Sequence, residues 1–522
     1  MTNRKPHTSP ADTDNSLSDL AAHRRSASRM GSRQRLDAAR EAGRLTARER
    51  VYELLDPGSF VEIGMLARSR EPNLNPKTPA EGVITGSGTI DGRHVFVISD
   101  DVSVLAGSRG AVSEAKVSRI RALALRERLP IVMLSEASAA RIQETRGAIS
   151  AGLGTAFFEH IQLSGQVPQI SVMLGASFGG PSFIAAQSDI AIQVEGAFMG
   201  MCAPSLVKLG VGQDCTPEEI GGTDISGSVT GQAHFIATDD REALALVRKY
   251  LSYMPSSSGQ PPPLAPSRPA LCESPEGLKE FQALVPENTR VAYDSVRLLE
   301  LLVDEASLFI LHRNYGKSLV TAFARMNGRP VGILASNPRF KAGVVDDQAA
   351  TKARRFVDLC DAFHIPLLFF TDTPGFLVGP DLEKRRMVSL CARLIGSVFS
   401  ASVPKITVVL RKAVGMAYIA MAGRATQPQA IFAWPNATFD VMGPEVGLMI
   451  SHGAAILSAD DPDMAKQELL RQMREEASAL ATAELALIDD VIAPMETRER
   501  IISMLERSTQ QASFSFKHRI DP

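Results

Sequence analysis

The chain reads twice at one offset. Leu129-Pro130-Ile131-Val132 opens an apolar run ending at Glu136, and Ile365-Pro366-Leu367-Leu368 opens one ending at Asp372. Pro130 and Pro366 stand 236 residues apart, as do Gly92 in "DGRHVFVI" and Gly328 in "NGRPVGIL". Ala106-Gly107 with Ala342-Gly343, and Val167-Pro168 with Val403-Pro404, repeat the interval without drift. So long a period excludes a solenoid, whose repeats run to roughly 20–50 residues. It implies two copies of one domain, and a duplicated fold tends to place its site between the copies.

At 522 residues the chain has room for two or more ordinary domains. Hydrophobic residues at 44% and charged residues at 22% suit a soluble globular enzyme. A formal net charge of −2 gives no basic field for nucleic acid. Cys202, Cys215, Cys272, Cys360 and Cys391 form no C-x-x-C and no metal-ligand spacing, which suits a reducing cytoplasm and predicts no metal site. There is no signal-peptide core and no apolar run long enough to span a membrane.

Composition predicts a disordered segment over residues 1–31 and a first domain over 32–253. "RLTARERVYELLDPGSF" reads as a helix capped by Thr46 and Glu49 and stopped at Asp56-Pro57-Gly58. A Pro/Ser-rich linker spans 254–270, a second domain 271–510, and a tail 511–522. "HVFVISD", "PIVMLSE" and "QISVML" read as buried strands. Amphipathic helices over 113–128 and 349–364 lie between them, with Lys116 matching Lys352. Residues 463–492 read as one further helical stretch. Strand–helix–strand order predicts an α/β fold with parallel pairing.

The turn after the third strand carries Ser177-Phe178-Gly179-Gly180-Pro181, and its copy carries Ala413-Val414-Gly415-Met416-Ala417-Tyr418. A strand that leads through such a turn into a helix leaves N–H groups unpaired, able to hold an oxyanion. The plain alternative is a tight turn that needs glycine. Gly175-Ala176-Ser177-Phe178-Gly179 also fits a nucleophile elbow, which would need a base and acid such as His452 and Asp372. The copy has Ala413 at the serine's place. His160, His234 and Asp372 are single candidates with structural alternatives, Asp372 as a turn or cap residue. Phe198-Met199-Gly200-Met201 reads as core, and the charges of "RLTARER" as a solvated face. No P-loop occurs, and no Met-Lys-Met tract that would carry biotin on this chain.

At these motifs the sequence resembles the carboxyltransferase (β) subunits of biotin-dependent acyl-CoA carboxylases and the related decarboxylase subunits. The likeness covers roughly 45–500. It rests on "LTARERVYELLDPGSFVE", "GVITGSGTIDGRHV", "ARIQE", "VPQISVMLGASFGG", "EEIGG", "CDAFHIPLLFFTDTPGFLVG", "VPKITVVLRKA" and "AWPNATFDVMGPE". The resemblance implies two tandem crotonase-like domains, with acyl-CoA on the first and carboxybiotin on the second. It implies a homo-hexamer in which unlike domains of neighbouring subunits face each other, and a biotin carboxylase and carrier as partners. The implied reaction moves a carboxylate from carboxybiotin to the α-carbon of an acyl-CoA through an enolate. Gly179 and Gly180 match the hole assigned to the thioester, while Gly415, Met416 and Ala417 match the biotin side. Phe178, Ala139, Ala140, Arg141 and Tyr418 are the implied contacts to CoA and biotin.

The chain departs from the family's Asp-Ser-Gly-Gly-Ala-Arg at Glu136-Ala137-Ser138-Ala139-Ala140-Arg141, and from its Gly-Gly-Ala at Gly415-Met416-Ala417. Ser389-Leu390-Cys391-Ala392-Arg393 and Thr223-Asp224-Ile225-Ser226 replace two further family motifs. Added Cβ atoms and a long side chain enter where substrates would meet. Two alternatives follow: a biotin-independent decarboxylase or lyase acting on a CoA thioester, or a non-catalytic assembly subunit.

Overall fold

The 236-residue interval recurs in the backbone of the computed structural model, which describes residues 10–138, 140–509 and 513–522. The first copy holds strands β1 (Val61–Glu62), β2 (Val83–Ile90), β3 (Arg93–Asp100), β4 (Ile131–Ser135) and β5 (Gln169–Met173). It continues through β6 (Ala176–Phe178), β7 (Ile190–Val194), β8 (Phe198–Gly200) and β9 (Phe235–Ala237). The second holds β10 (Phe309–Leu311), β11 (Leu319–Met326), β12 (Arg329–Ser336), β13 (Leu367–Thr373) and β14 (Lys405–Val414), then β15 (Ala430–Ala433), β16 (Thr438–Asp440) and β17 (Asp490–Val491). The sheets run β1-β2-β3-β4-β5-β7-β9 and β10-β11-β12-β13-β14-β15-β17. β6 pairs β8, and β16 pairs β14.

Each sheet begins with a hairpin and continues in parallel. Asp91-Gly92 and Asn327-Gly328 have φ of 50°, 77°, 51° and 76°. Two consecutive positive φ values make the type I′ turn that suits the strand twist. β2 then pairs β3 with Val83 opposite Asp100, and β11 pairs β12 with Leu319 opposite Ser336. The parallel registers Ile131↔Gln169 and Leu367↔Lys405 keep the same interval. So do two lone bridges, Arg109↔Ala140 and Val345↔Phe376. After the glycine turns it widens, with Ile190 and Ala430 in equivalent places opposite Ile170 and Ile406.

The expected crossover helices are Ala111–Glu127 and Asp347–Ala362. In the first unit, Val117 and Ile120 pack on Phe96, Ile131 and Met133. In the second, Ile333, Leu368 and Ile406 continue to Trp434 and Ile501. By contacts the chain divides into two compact units. One runs to Ser226 and takes in Ile236–Leu251; the other joins Gly227–Phe235 to Ser252–Pro522. The Pro-rich stretch after Met254 is extended and tied down, with the Arg325 guanidinium donating to the carbonyls of Pro263 and Ser252 at 3.0 and 2.6 Å.

Two local expectations change. A helix spans Pro10–Ser28 inside the segment read as disordered, because Ala27 and Met30 are buried and Arg68 donates to Ser26 at 2.8 Å. The stretch 463–492 breaks into helices Pro462–Glu476 and Ala479–Glu484 plus β17. Ser478 causes the break by capping the second helix, its side chain accepting from the Ala481 N–H. The tail packs, with Lys517 and His518 on Asp361 at 2.9 and 3.0 Å.

Candidate active site

β6 runs into Gly179, whose φ of 71° and ψ of −126° turn the chain into helix Gly180–Gln187. The two glycines do different work. The Gly179 N–H donates to the Gly200 carbonyl at 2.9 Å and is not available to a ligand. The Gly180 N–H, first in the helix, meets no acceptor among the described residues. Ser182 steadies the turn by donating to the Ser177 carbonyl at 2.7 Å and accepting from the Gly200 N–H at 2.9 Å. A free N–H at a helix start carries the positive end of the dipole.

Gly180 lines a cavity of about 520 Å³ with Ser138, Ala140, Met133, Phe157 and Ile184. Ser138 is pinned by its hydroxyl on the Ala106 carbonyl at 2.8 Å. Ala139 lies outside the described residues. Phe178 is half-buried beside Gly200 and does not line the cavity. Arg141, expected to touch CoA, is buried instead, with Nη1 on Glu81 and Glu144 at 2.8 and 2.7 Å and Nη2 on the Ser108 carbonyl. Its charge is neutralised inside the protein, so its role is to clamp the loop.

The second turn has Gly415 at φ 59°, opening helix Gly415–Ala420. A Cβ on Gly415 would stand 2.8 Å from the Val441 carbonyl. The parallel register of β14 with β16, Val414 opposite Asp440, turns the Gly415 N–H towards the Asp440 carbonyl, as the Gly179 N–H is turned to Gly200. The N–H groups of Met416 and Ala417, next in the helix, are the ones left without a strand partner. The Met416 side chain is exposed and Ala417 is buried. Tyr418 packs edge-on against Phe439, and burial pushes its phenol up to about 12.

Ser177 is no nucleophile. It is fully buried and its Oγ has no hydrogen-bond partner, so neither base nor substrate reaches it. Asp372 is equally buried and paired to Arg411 at 2.8 Å, while His452 lies exposed beside the Ser451 hydroxyl. Arg411 also donates to the carbonyls of Pro286, Asn288 and Val291. Glu136, in the place of Asp372 in the first copy, holds Arg44 and Arg50 at 2.8 and 2.7 Å. These strand-end carboxylates anchor neighbouring segments.

The histidine candidates are structural as well. His160 contacts Ser188 and Gln169, and burial lowers its pKa to about 3, leaving it neutral. His234 lies tilted at 40° against His312 with ring centres 4.4 Å apart, and burial lowers the pKa of both. Phe198–Gly200 forms β8. Among the described residues no group of His, Cys, Asp or Glu is placed to hold a metal, and no helix is long and apolar enough to cross a membrane.

Sequence reasoning missed the ionic part of the cavity wall: Arg109, Glu114, Arg121 and Glu144. A signal was present. Arg121 follows Val117 and Ile120 and precedes Ala124, a charge on the buried face of its helix.

The chain is similar to known proteins. The carboxyl transferase domain family matches residues 38–520. A propionyl-CoA carboxylase carboxyltransferase subunit of Haloferax mediterranei is 35% identical over 510 residues, covering 96% of this chain and 98% of that protein. A methylmalonyl-CoA decarboxylase subunit alpha of Veillonella parvula is 35% identical, covering 91% and 92%. The transcarboxylase 12S hexamer, solved with methylmalonyl-CoA and methylmalonic acid bound, superposes with a TM-score of 0.91 at 35% identity, covering 99% of each chain.

Proposed function

The chain belongs to the carboxyl transferase domain family, and from that membership we propose that it moves a carboxyl group between biotin on a separate carrier and the α-carbon of an acyl-CoA. It is an enzyme of the acyl-CoA carboxyltransferase kind, built on two crotonase-like domains. One observation carries the reading: the unpaired N–H of Gly180 opens onto the 520 Å³ cavity.

Reaction at the carbon beside a thioester places negative charge on the carbonyl oxygen. A fixed N–H at a helix start stabilises that charge without reorganising at the moment of reaction. Met133, Phe157 and Ile184 give the cavity an apolar lining, which strengthens the interaction and excludes water. In the second unit the N–H groups of Met416 and Ala417, beyond the Gly415 turn, suit the ureido oxygen of biotin, and Tyr418 supports their helix. Bound there, biotin supplies the carboxyl group or receives it. No side-chain nucleophile is required, which agrees with the burial of Ser177.

We further propose a homo-hexamer, as in the transcarboxylase relative, that works in the cytoplasm with a biotin carboxylase and carrier subunit. The exposed Met416 at the second turn favours one other reading, a biotin-independent decarboxylase or lyase on CoA thioesters.

One experiment separates them. The full chain is incubated with acyl-CoAs and malonyl-type CoAs, with and without N-carboxybiotin or free biotin, and products are weighed by mass spectrometry. Carboxyl transfer that requires biotin is expected. Decarboxylation without biotin supports the second reading, and no reaction with any thioester overturns both.

A further inference from the structure

The cavity beside Gly180 has an ionic wall that its fold does not require. Helix Ala111–Glu127 contributes Glu114 and Arg121, and the loop before it contributes Arg109. The Arg121 side chain is 2% exposed. Its single carboxylate contact among the described residues is long, 3.4 Å from Nη1 to Glu159 Oε2. The other oxygen of Glu159 already accepts from the Ser118 hydroxyl. The Arg121 Nε–H is buried and has no acceptor. Arg109, by contrast, is held by Asp100 at 2.7 and 3.1 Å, with Glu114 standing 3.8 Å away.

The second copy is an internal control. At the 236-residue interval, Val345, Ala350 and Val357 occupy the places of Arg109, Glu114 and Arg121, and all three are buried. A scaffold that packs valine at this helix position has no structural need for arginine. A buried guanidinium with an unpaired donor is costly unless something satisfies it. That something belongs to what the first cavity holds.

We infer that the cavity takes an acyl group ending in a carboxylate, bound by Arg121 at the end remote from the thioester. The substrate class is a CoA monothioester of a dicarboxylic acid, and the inference rests on the carboxyltransferase reading of the Gly180 site. A guanidinium presents parallel N–H groups that match two carboxylate oxygens. Met133, Phe157 and Ile184 line the same cavity and suit the methylenes between the two ends. Burial and then the nearby Arg109 weaken the hold of Arg121 on its proton, and a bound anion reverses that pressure.

The test is calorimetric titration of the full chain with glutaryl-CoA against pentanoyl-CoA, and adipyl-CoA against hexanoyl-CoA. Each pair has equal carbon count. The ω-carboxyl member is expected to bind about 10–100-fold tighter. Arg121→Met should remove the preference, and Arg121→Lys should keep part of it. Equal or tighter binding of the unsubstituted esters overturns the inference, as does a preference that survives in Arg121→Met. The wild-type comparison decides even where a variant fails to fold. Carboxyl transfer is read separately. Biotin-dependent carboxylation of pentanoyl-CoA with no ω-carboxyl preference sinks this inference and leaves the transferase reading standing. Arg121-dependent binding of glutaryl-CoA without any transfer does the reverse.

Discussion

Lys116 and Lys352 hold equivalent positions in the two copies, and each buries its ammonium against backbone carbonyls that precede a hairpin strand. Lys116 Nζ donates to Ala80 at 2.9 Å, and Lys352 Nζ to Tyr315 at 2.7 Å. Burial lowers Lys116 from 10.5 to about 8 and Lys352 to about 7. Each binds its proton more weakly folded than unfolded, so the unfolded chain carries more protons above pH 7. Stability from this pair should therefore rise with pH from about 7 towards 10.5. Denaturant titrations across that range measure the slope. Lys352→Met should flatten it, and an unchanged slope would show that the buried ammonium does not set it.

Gly180 and Gly179 should fail differently. A Cβ on Gly180 meets only the Phe157 ring, at 4.0 Å, and Gly180 does not have a left-handed φ. Gly180→Val should fold normally yet lose thioester turnover by about 100-fold or more, because it fills the approach to the N–H. Gly179 has a φ of 71°, so Gly179→Ala should destabilise by about 1–3 kcal/mol. A soluble Gly180→Val with wild-type turnover removes the assignment.

Ser177→Ala tests the rejected nucleophile. Its hydroxyl is buried without a partner, so removing it should leave stability unchanged or raise it by about 1 kcal/mol. Turnover should stay within about two-fold of wild type, because the residue touches no reacting group. A large loss of turnover with an intact fold would reinstate the serine.

Asp372→Asn tests the other discarded candidate. Asp372 neutralises Arg411 at 2.8 Å, and Tyr293 lies under the guanidinium with its ring centre at 4.8 Å. Removing the carboxylate charge leaves Arg411 uncompensated and should cost about 3–5 kcal/mol. Thermal unfolding reads the loss. A catalytic Asp372 would instead lose turnover at unchanged stability.

Much of the scaffold was legible because the interval recurs in residues that geometry demands. Asp91-Gly92 and Asn327-Gly328 supply the positive φ values of the hairpins, and Pro130 and Pro366 head the matched strands. The Thr46–Glu49 capping box also forms as the spacing predicts. Side-chain allegiance was not legible. A motif offered Arg141 to CoA, but Glu81, 60 residues earlier, takes its charge. Spacing made Gly179 and Gly180 equivalent, yet the Gly200 carbonyl occupies one N–H and not the other. The helix at Pro10–Ser28 depends on burial of Ala27, which its polar composition conceals.

Met416 decides how the second turn is used. Its side chain is 55% exposed at the start of helix Gly415–Ala420, so truncation opens no cavity in the core. Met416→Gly should cost about 1 kcal/mol through helix propensity alone. Methionine has three rotatable bonds and swings aside readily, so the N–H groups it flanks remain approachable. If they serve biotin, the smaller residue clears the approach, and transfer to free biotin should rise, by up to about ten-fold. Decarboxylation without biotin should not change. Steady-state rates of Met416→Gly with and without free biotin measure both. A fall in the biotin-independent rate alone assigns Met416 to the acyl group and favours the second reading. If neither rate moves while thermal unfolding confirms an intact fold, the turn at Gly415 is not where carboxyl transfer occurs.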